Sequence, residues 1–141
     1  MFDLDTNVLS AATARLPVPE VATWMRQRPL NELFTTTVTQ AEVLSGIAAL
    51  PAGRRRRDLE TTANTLFRVG FLGRVLPFDS RAAEAYAILF PLRRRLGRAT
   101  SPQDLMIAAI ASVHGAPVVT RDFGGFDGLG LTVIDPFVAG A

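Results

Sequence analysis

The chain has 141 residues, 48% of them hydrophobic and 20% charged, enough apolar material for one compact domain with a buried core and too much for a disordered tail. It has no cysteine, which excludes disulfides and thiolate metal sites. All fifteen basic residues are arginine, so the net charge of +2 is carried without lysine and any chemistry that requires a lysine is excluded.

Phe2-Asp3-Leu4-Asp5 reads as a short strand rather than a leader, because no basic region or long apolar run accompanies it. A short helix is expected from Thr6 or Asn7. A second runs from Pro19 to about Arg28, with Val21, Trp24 and Met25 at helical spacing. Leu33 to Thr37 is rich in β-branched and aromatic residues and predicts a strand. Thr39-Gln40-Ala41-Glu42 opens a helix whose apolar face is Val43, Leu44, Ile47 and Ala48, and Pro51-Ala52-Gly53 ends it. Arg54 to about Phe71 predicts one long amphipathic helix with Leu59, Ala63, Leu66 and Phe67 on one side.

Val75 to Phe78 is the third expected strand. Ser80 to Arg98 is expected to be helical, with a bend at Pro91. Ser101-Pro102 opens a helix that reaches His114, read as a helix C-terminal residue, before Gly115 stops it. Pro117 to Thr120 and Leu131 to Ile134 complete the strands, with a glycine-rich loop from Gly124 to Gly130 between them. Strands alternating with helices predict an α/β fold, a mostly parallel central sheet flanked by helices, in a single domain over residues 1–141. The apolar stretch from Leu105 to Val113 is too short to span a bilayer, so the expected location is the cytoplasm, with no membrane partner.

Four acids take equivalent places in this pattern. Asp5 ends the first strand and Asp122 follows the fourth. Glu42 and Asp104 sit near the starts of helices. In a parallel sheet, strand ends and helix starts share one edge, where ligands bind. Each acid also has a purely structural reading. Thr39-x-x-Glu42 is a capping box, Ser101-x-x-Asp104 resembles one, and Asp5 and Asp122 suit turns. If the four do converge, they cannot all ionise without a counter-charge, and oxygen-only donors favour Mg²⁺ or Mn²⁺. The helix starts are expected to keep Glu42 and Asp104 ionised. Arg54 to Arg57 is either a solvated helix face or a contact for the phosphates of an anionic partner.

Leu4-Asp5-Thr6-Asn7-Val8-Leu9, Thr37-Val38-Thr39-Gln40-Ala41-Glu42, Ser101-Pro102-Gln103-Asp104 and Val118-Val119-Thr120-Arg121-Asp122 together resemble PIN-domain ribonucleases. Among these the resemblance is to the VapC/FitB-like toxins of bacterial toxin–antitoxin pairs. It covers nearly the whole chain, with order and spacing intact. It implies a PIN-like fold and endonucleolytic cleavage of RNA with Mg²⁺ or Mn²⁺. It also implies inhibition by a cognate antitoxin, contact with DNA only through that antitoxin, and homodimerisation. By motif position Asp5, Glu42 and Asp104 match the core acids and Asp122 a fourth position held by Asn or Asp. Thr6, Asn7, Ser101 and Thr120 match supporting polar residues. Asp3 departs from the apolar residue usual at its position, and Gly125 stands where an acid is common. Two other readings stand beside this one. A non-catalytic binding module could share the fold, and Asp3-Leu4-Asp5-Thr6 resembles the nucleophile motif of haloacid-dehalogenase-like phosphatases, which generally need a lysine.

Overall fold

The computed structural model describes residues 1–97 and 100–141. Five short strands, β1 (Phe2–Leu4), β2 (Leu33–Thr36), β3 (Val75–Leu76), β4 (Val118–Val119) and β5 (Val133–Ile134), form a sheet in the order β3-β2-β1-β4-β5. Every pairing is parallel, with Asp3 beside Phe34 on one neighbour and beside Val118 on the other. The helices are α1 (Thr6–Thr13), α2 (Pro19–Arg26), α3 (Thr37–Ala48), α4 (Arg54–Thr65), α5 (Ser80–Leu96), α6 (Pro102–His114) and the single turn α7 (Phe123–Phe126). The expected end of α5 at Arg98 lies outside the described residues.

The two-residue alternation of the strands divides the core. Leu4, Leu33 and Val119 face one layer with Val8, Leu9, Val21, Trp24, Phe67 and Phe71. Val118 faces the other, against Leu89 of α5 and against α6, whose stretch Ile107 to Ala111 is buried all round. A helix buried on every side has no polar face to spare, which is why this apolar segment lies between the sheet and α5.

Three local expectations change. The helix that carries Glu42 begins earlier than expected: Thr36 is its N-cap, its hydroxyl accepting from the Thr39 N–H at 3.1 Å, so Thr37 is already helical. The long helix from Arg54 gives way after Thr65 to a wider π turn, Leu66–Gly70. Arg74 holds that turn against the sheet, donating to the carbonyls of Gly70, Leu30 and Leu33 with its guanidinium 5.1 Å from the Phe71 ring centroid. The expected loop from Gly124 begins inside α7, because the Asp122 carboxylate caps a turn there by accepting from the Gly125 N–H.

Asp3 is completely buried, and neither carboxyl oxygen has a hydrogen-bond partner among the described residues. Burial first, and the charge of Asp5 second, push its pKa well above the ordinary carboxylate value, which favours its neutral form. An unsatisfied buried acid is a standing loss of stability. Asp3→Val should therefore raise the unfolding free energy at pH 7 by about 1–3 kcal/mol, measured by urea denaturation; equal or lower stability would show that the carboxyl has a partner.

Candidate active site

The chain order of the strands decides where the acids meet. β1 is central; the chain first fills one side of it with β2 and β3, then crosses to β4 and β5. That reversal makes the carboxyl ends of β1 and β4 a crevice. Asp5 leaves the end of β1, and Asp122 follows β4 after Thr120 and Arg121. Asp104 lies in the first turn of α6, which precedes β4 and so starts at the same edge. Glu42 projects from the second turn of α3 rather than its first, so the Thr39 to Glu42 capping box does not form.

Asp5 is the best-held of the four, only 4% exposed. The Thr6 N–H donates to its Oδ1 at 2.7 Å and the buried Thr120 hydroxyl to its Oδ2 at 2.8 Å. Asn7 donates to Asp5 Oδ2 at 3.4 Å and to the Thr120 oxygen at 2.9 Å, while its own Oδ1 accepts from the Arg121 N–H at 3.1 Å. The Asp122 N–H donates to the Thr120 hydroxyl at 3.0 Å, tying the β4 exit into the same network. The Thr6 hydroxyl donates to Glu42 Oε1 at 3.3 Å and lies 3.4 Å from the buried Thr39 hydroxyl, from which it can accept in turn. Ser101 caps α6, accepting from the Asp104 N–H at 3.0 Å.

All four acids act on one another electrostatically. Asp104 is pushed from 3.8 to about 7, by burial first and then by Asp5, Asp122 and Glu42. Burial raises Asp5, with the Asp122 charge adding to it against the bonds from Thr120 and Thr6. Glu42 is raised by desolvation and then by Asp5, although it stands on the open side of the cluster. The expectation that a helix start keeps its acid ionised is thus reversed at Asp104, and Glu42 is shifted in the same direction. A macrodipole effect of under about 1 kcal/mol at a helix end is outweighed by lost hydration and three like charges.

Among the described residues no arginine forms an ion pair with these acids, and no three of them stand close enough to form a ready-made cation cage. The carboxylates nonetheless converge on open space. An ideal Cβ on Gly125 would meet Asp122 Oδ2 at 2.7 Å and Asp104 Oδ2 at 2.9 Å, so both oxygens face a point that only glycine leaves free. The donor set of carboxylate oxygens suits a hard divalent ion.

The structure places the expected residues at one edge: Asp104 within electrostatic reach of Asp5, Glu42 and Asp122, Thr6, Asn7 and Thr120 bonded to Asp5, and Ser101 at the start of α6. Sequence reasoning missed Thr36 as the helix cap and Thr39 as a buried partner of Thr6; the run of threonines from Thr35 to Thr37 holds several possible caps, and local pattern does not choose among them. It also noted Gly125 only as a missing acid. Of the arginine run, Arg54 and Arg56 pair with Asp58 and Glu60 at 3.8 and 2.9 Å, while Arg55 and Arg57 make no ion pair among the described residues.

The PIN domain family profile matches residues 4–129. The chain belongs to the PIN-domain family. This PIN chain is 40% identical to the plasmid stability protein StbB of Pseudomonas syringae pv. tomato over 99% of its own length and all of the relative's. It is 36% identical to the VapC ribonuclease Y4jK of Sinorhizobium fredii, covering 97% of this chain and 98% of that one. Among solved structures it resembles FitAcB from Neisseria gonorrhoeae, with a TM-score of 0.89 and 32% identity over 97% of this chain and 99% of the other. The structure of FitAB bound to an IR36 DNA fragment gives a TM-score of 0.91 at 31% identity, over 100% and 99% of the two chains. Membership of this family leaves no place for the phosphatase reading.

The pKa pattern gives a sign for stability. A carboxyl whose folded pKa is raised favours the folded state below its unfolded value, and that contribution is lost as pH rises through the folded one. The PIN chain in chelator should therefore lose thermal stability as pH rises from about 4 to about 7. Asp104→Asn should flatten the fall, as read from Tm against pH; a steady rise across that window would contradict the clustered acids.

Proposed function

We propose that this PIN chain is an endoribonuclease dependent on Mg²⁺ or Mn²⁺, and that it acts as the toxin of a toxin–antitoxin pair. The observation that carries the chemistry is the meeting of four mutually repelling carboxylates at the crevice between β1 and β4. Relatives named VapC ribonuclease and toxin FitB support RNA as the substrate and a toxin's role. The FitAcB and DNA-bound FitAB structures among the neighbours support a protein antitoxin as the inhibiting partner, and in this reading DNA is contacted through that antitoxin.

Asp5, Glu42, Asp104 and Asp122 would hold the cation. When bound, such an ion lowers the pKa of a water and stabilises charge on a phosphoryl oxygen. The chain's own residues do the rest. Thr120, Asn7 and the Thr6 N–H fix both oxygens of Asp5, so the most buried acid enters in one orientation. Thr6 turns Glu42 toward the cluster. A pKa of about 7 leaves the Asp104 carboxyl exchanging its proton near neutral pH, so cation binding there should release protons and tighten as pH rises. Beside Glu42 opens a groove of about 470 Å³ bordered by Phe78, Gln103 and Met106, which gives an unpaired strand apolar and amide surface next to the acids. Exposed Ile88 on α5 offers an apolar contact for homodimerisation. Among the described residues no helix is long and apolar enough to cross a membrane, in keeping with a cytoplasmic site of action.

Cleavage of RNA by the purified protein should disappear in EDTA and return with Mg²⁺ or Mn²⁺. Asp5→Asn, Glu42→Gln and Asp104→Asn should each lower it by roughly a hundredfold or more, and Asp122→Asn by less. The same substitutions should raise the melting temperature of the cation-free protein by relieving repulsion. Full cleavage in chelator would remove the metal from the reading, and full activity of Glu42→Gln would remove that residue.

In cells, expression of the chain alone should slow growth, and co-expression of a short adjacent reading frame should restore it. Unimpeded growth with well-expressed protein would count against a toxin and favour a partner-binding module on the same fold.

A further inference from the structure

Gly125 touches two of the four acids and donates to one of them. Its N–H donates to Asp122 Oδ1 at 3.2 Å, while the position of its missing Cβ is 2.7 Å from Asp122 Oδ2 and 2.9 Å from Asp104 Oδ2. One residue thus fixes the first oxygen of Asp122 and makes room for the second. The two Oδ2 atoms, brought from α6 and from the β4 exit, converge on the bare Cα, no farther apart than the sum of those two distances. The glycine is not needed for its backbone: its φ is not among the positive ones, and it lies within α7, where alanine is a better helix former.

We infer that Gly125 is a positioning residue for cation binding, keeping the carboxylates of Asp104 and Asp122 close enough to share one divalent ion. This rests on the cation reading proposed above. A methyl group at 125 cannot stay under 3 Å from two oxygens. What yields is the two carboxylate ends, since they are side-chain termini rather than backbone. They swing apart, and the pair is spread before any ion arrives. The cost falls on cation affinity and not on the fold. Gly124, the preceding residue of the same helix, is the control built into the chain: a Cβ there meets nothing within 4 Å.

The test is Mn²⁺ titration of the purified full chain by calorimetry, without RNA, for wild type, Gly125→Ala and Gly124→Ala. Gly125→Ala should bind Mn²⁺ about tenfold more weakly, the scale on which displaced supporting groups act at metal sites. Gly124→Ala should bind as wild type does. Melting temperatures in chelator should separate the two variants little, and RNA cleavage by Gly125→Ala should recover as Mn²⁺ is raised. Wild-type affinity in Gly125→Ala would overturn the inference while leaving the cation site in place. No binding by the wild type would sink the cation reading and this inference with it. Should Gly125→Ala fail to fold, the comparison moves to Asp122→Ala with and without Gly125→Ala, where only Asp104 Oδ2 is left to be displaced. A further loss of affinity there supports the role, and equal affinity overturns it.

Discussion

Like-charge repulsion at the carboxyl edge of the sheet organises this molecule. Four acids from the β1 exit, the second turn of α3, the first turn of α6 and the β4 exit are folded toward one another. Each of the three with a displaced pKa is displaced upward, by burial first and by its neighbours next. No arginine of the chain forms an ion pair with them among the described residues. A fold that gathers uncompensated acids gives up stability for a site that attracts positive charge. The apolar layers must hold the acids in place, which is why the buried stretch of α6 lies directly behind Asp104.

Hydrogen bonding separates the acid that is fixed from those that can adjust. Asp5 takes bonds at both oxygens, and the Thr120 hydroxyl serves Asp5, Asn7 and the Asp122 backbone at once. Glu42 has one long contact from Thr6, Asp122 accepts at Oδ1 from the Gly125 N–H, and Asp104 is bonded to Ser101. Asp5 is thus bonded at both oxygens, and the other three acids at fewer. That makes the bare Cα of Gly125 consequential, because the oxygens it meets belong to Asp104 and Asp122, which have fewer bonds than Asp5.

Asp3 shows the same economy from the opposite side. It lies two residues from Asp5 on the central strand, facing the layer of Val118 and α6, and its carboxyl is sealed away from every partner among the described residues. Burial and the Asp5 charge favour its neutral form. The sequence marked it only as a departure from an apolar pattern. Nothing local distinguishes a buried acid from a surface one, because burial is fixed by what packs on top.

The sequence by itself determined the kinds of residue and the edge on which they lie. Alternating strands and helices required a parallel sheet, and a parallel sheet puts strand ends and helix starts together; the order of the four motifs carried the family. Several things needed the tertiary structure. The strand order places β1 beside β4, and with it Asp5 beside Asp122, because pairing joins segments far apart in the chain. The true start of α3 at Thr36 moved Glu42 into the second turn and left Thr39 as a buried partner, because several threonines offered equivalent local caps and packing chose between them. The pKa of Asp104 near 7 contradicts its favourable helix position, because desolvation and three distant charges outweigh one local dipole. The close approach of Gly125 to two carboxylates was legible only as a missing side chain, since contact distances between separate elements are a property of the packed chain and not of any segment of it.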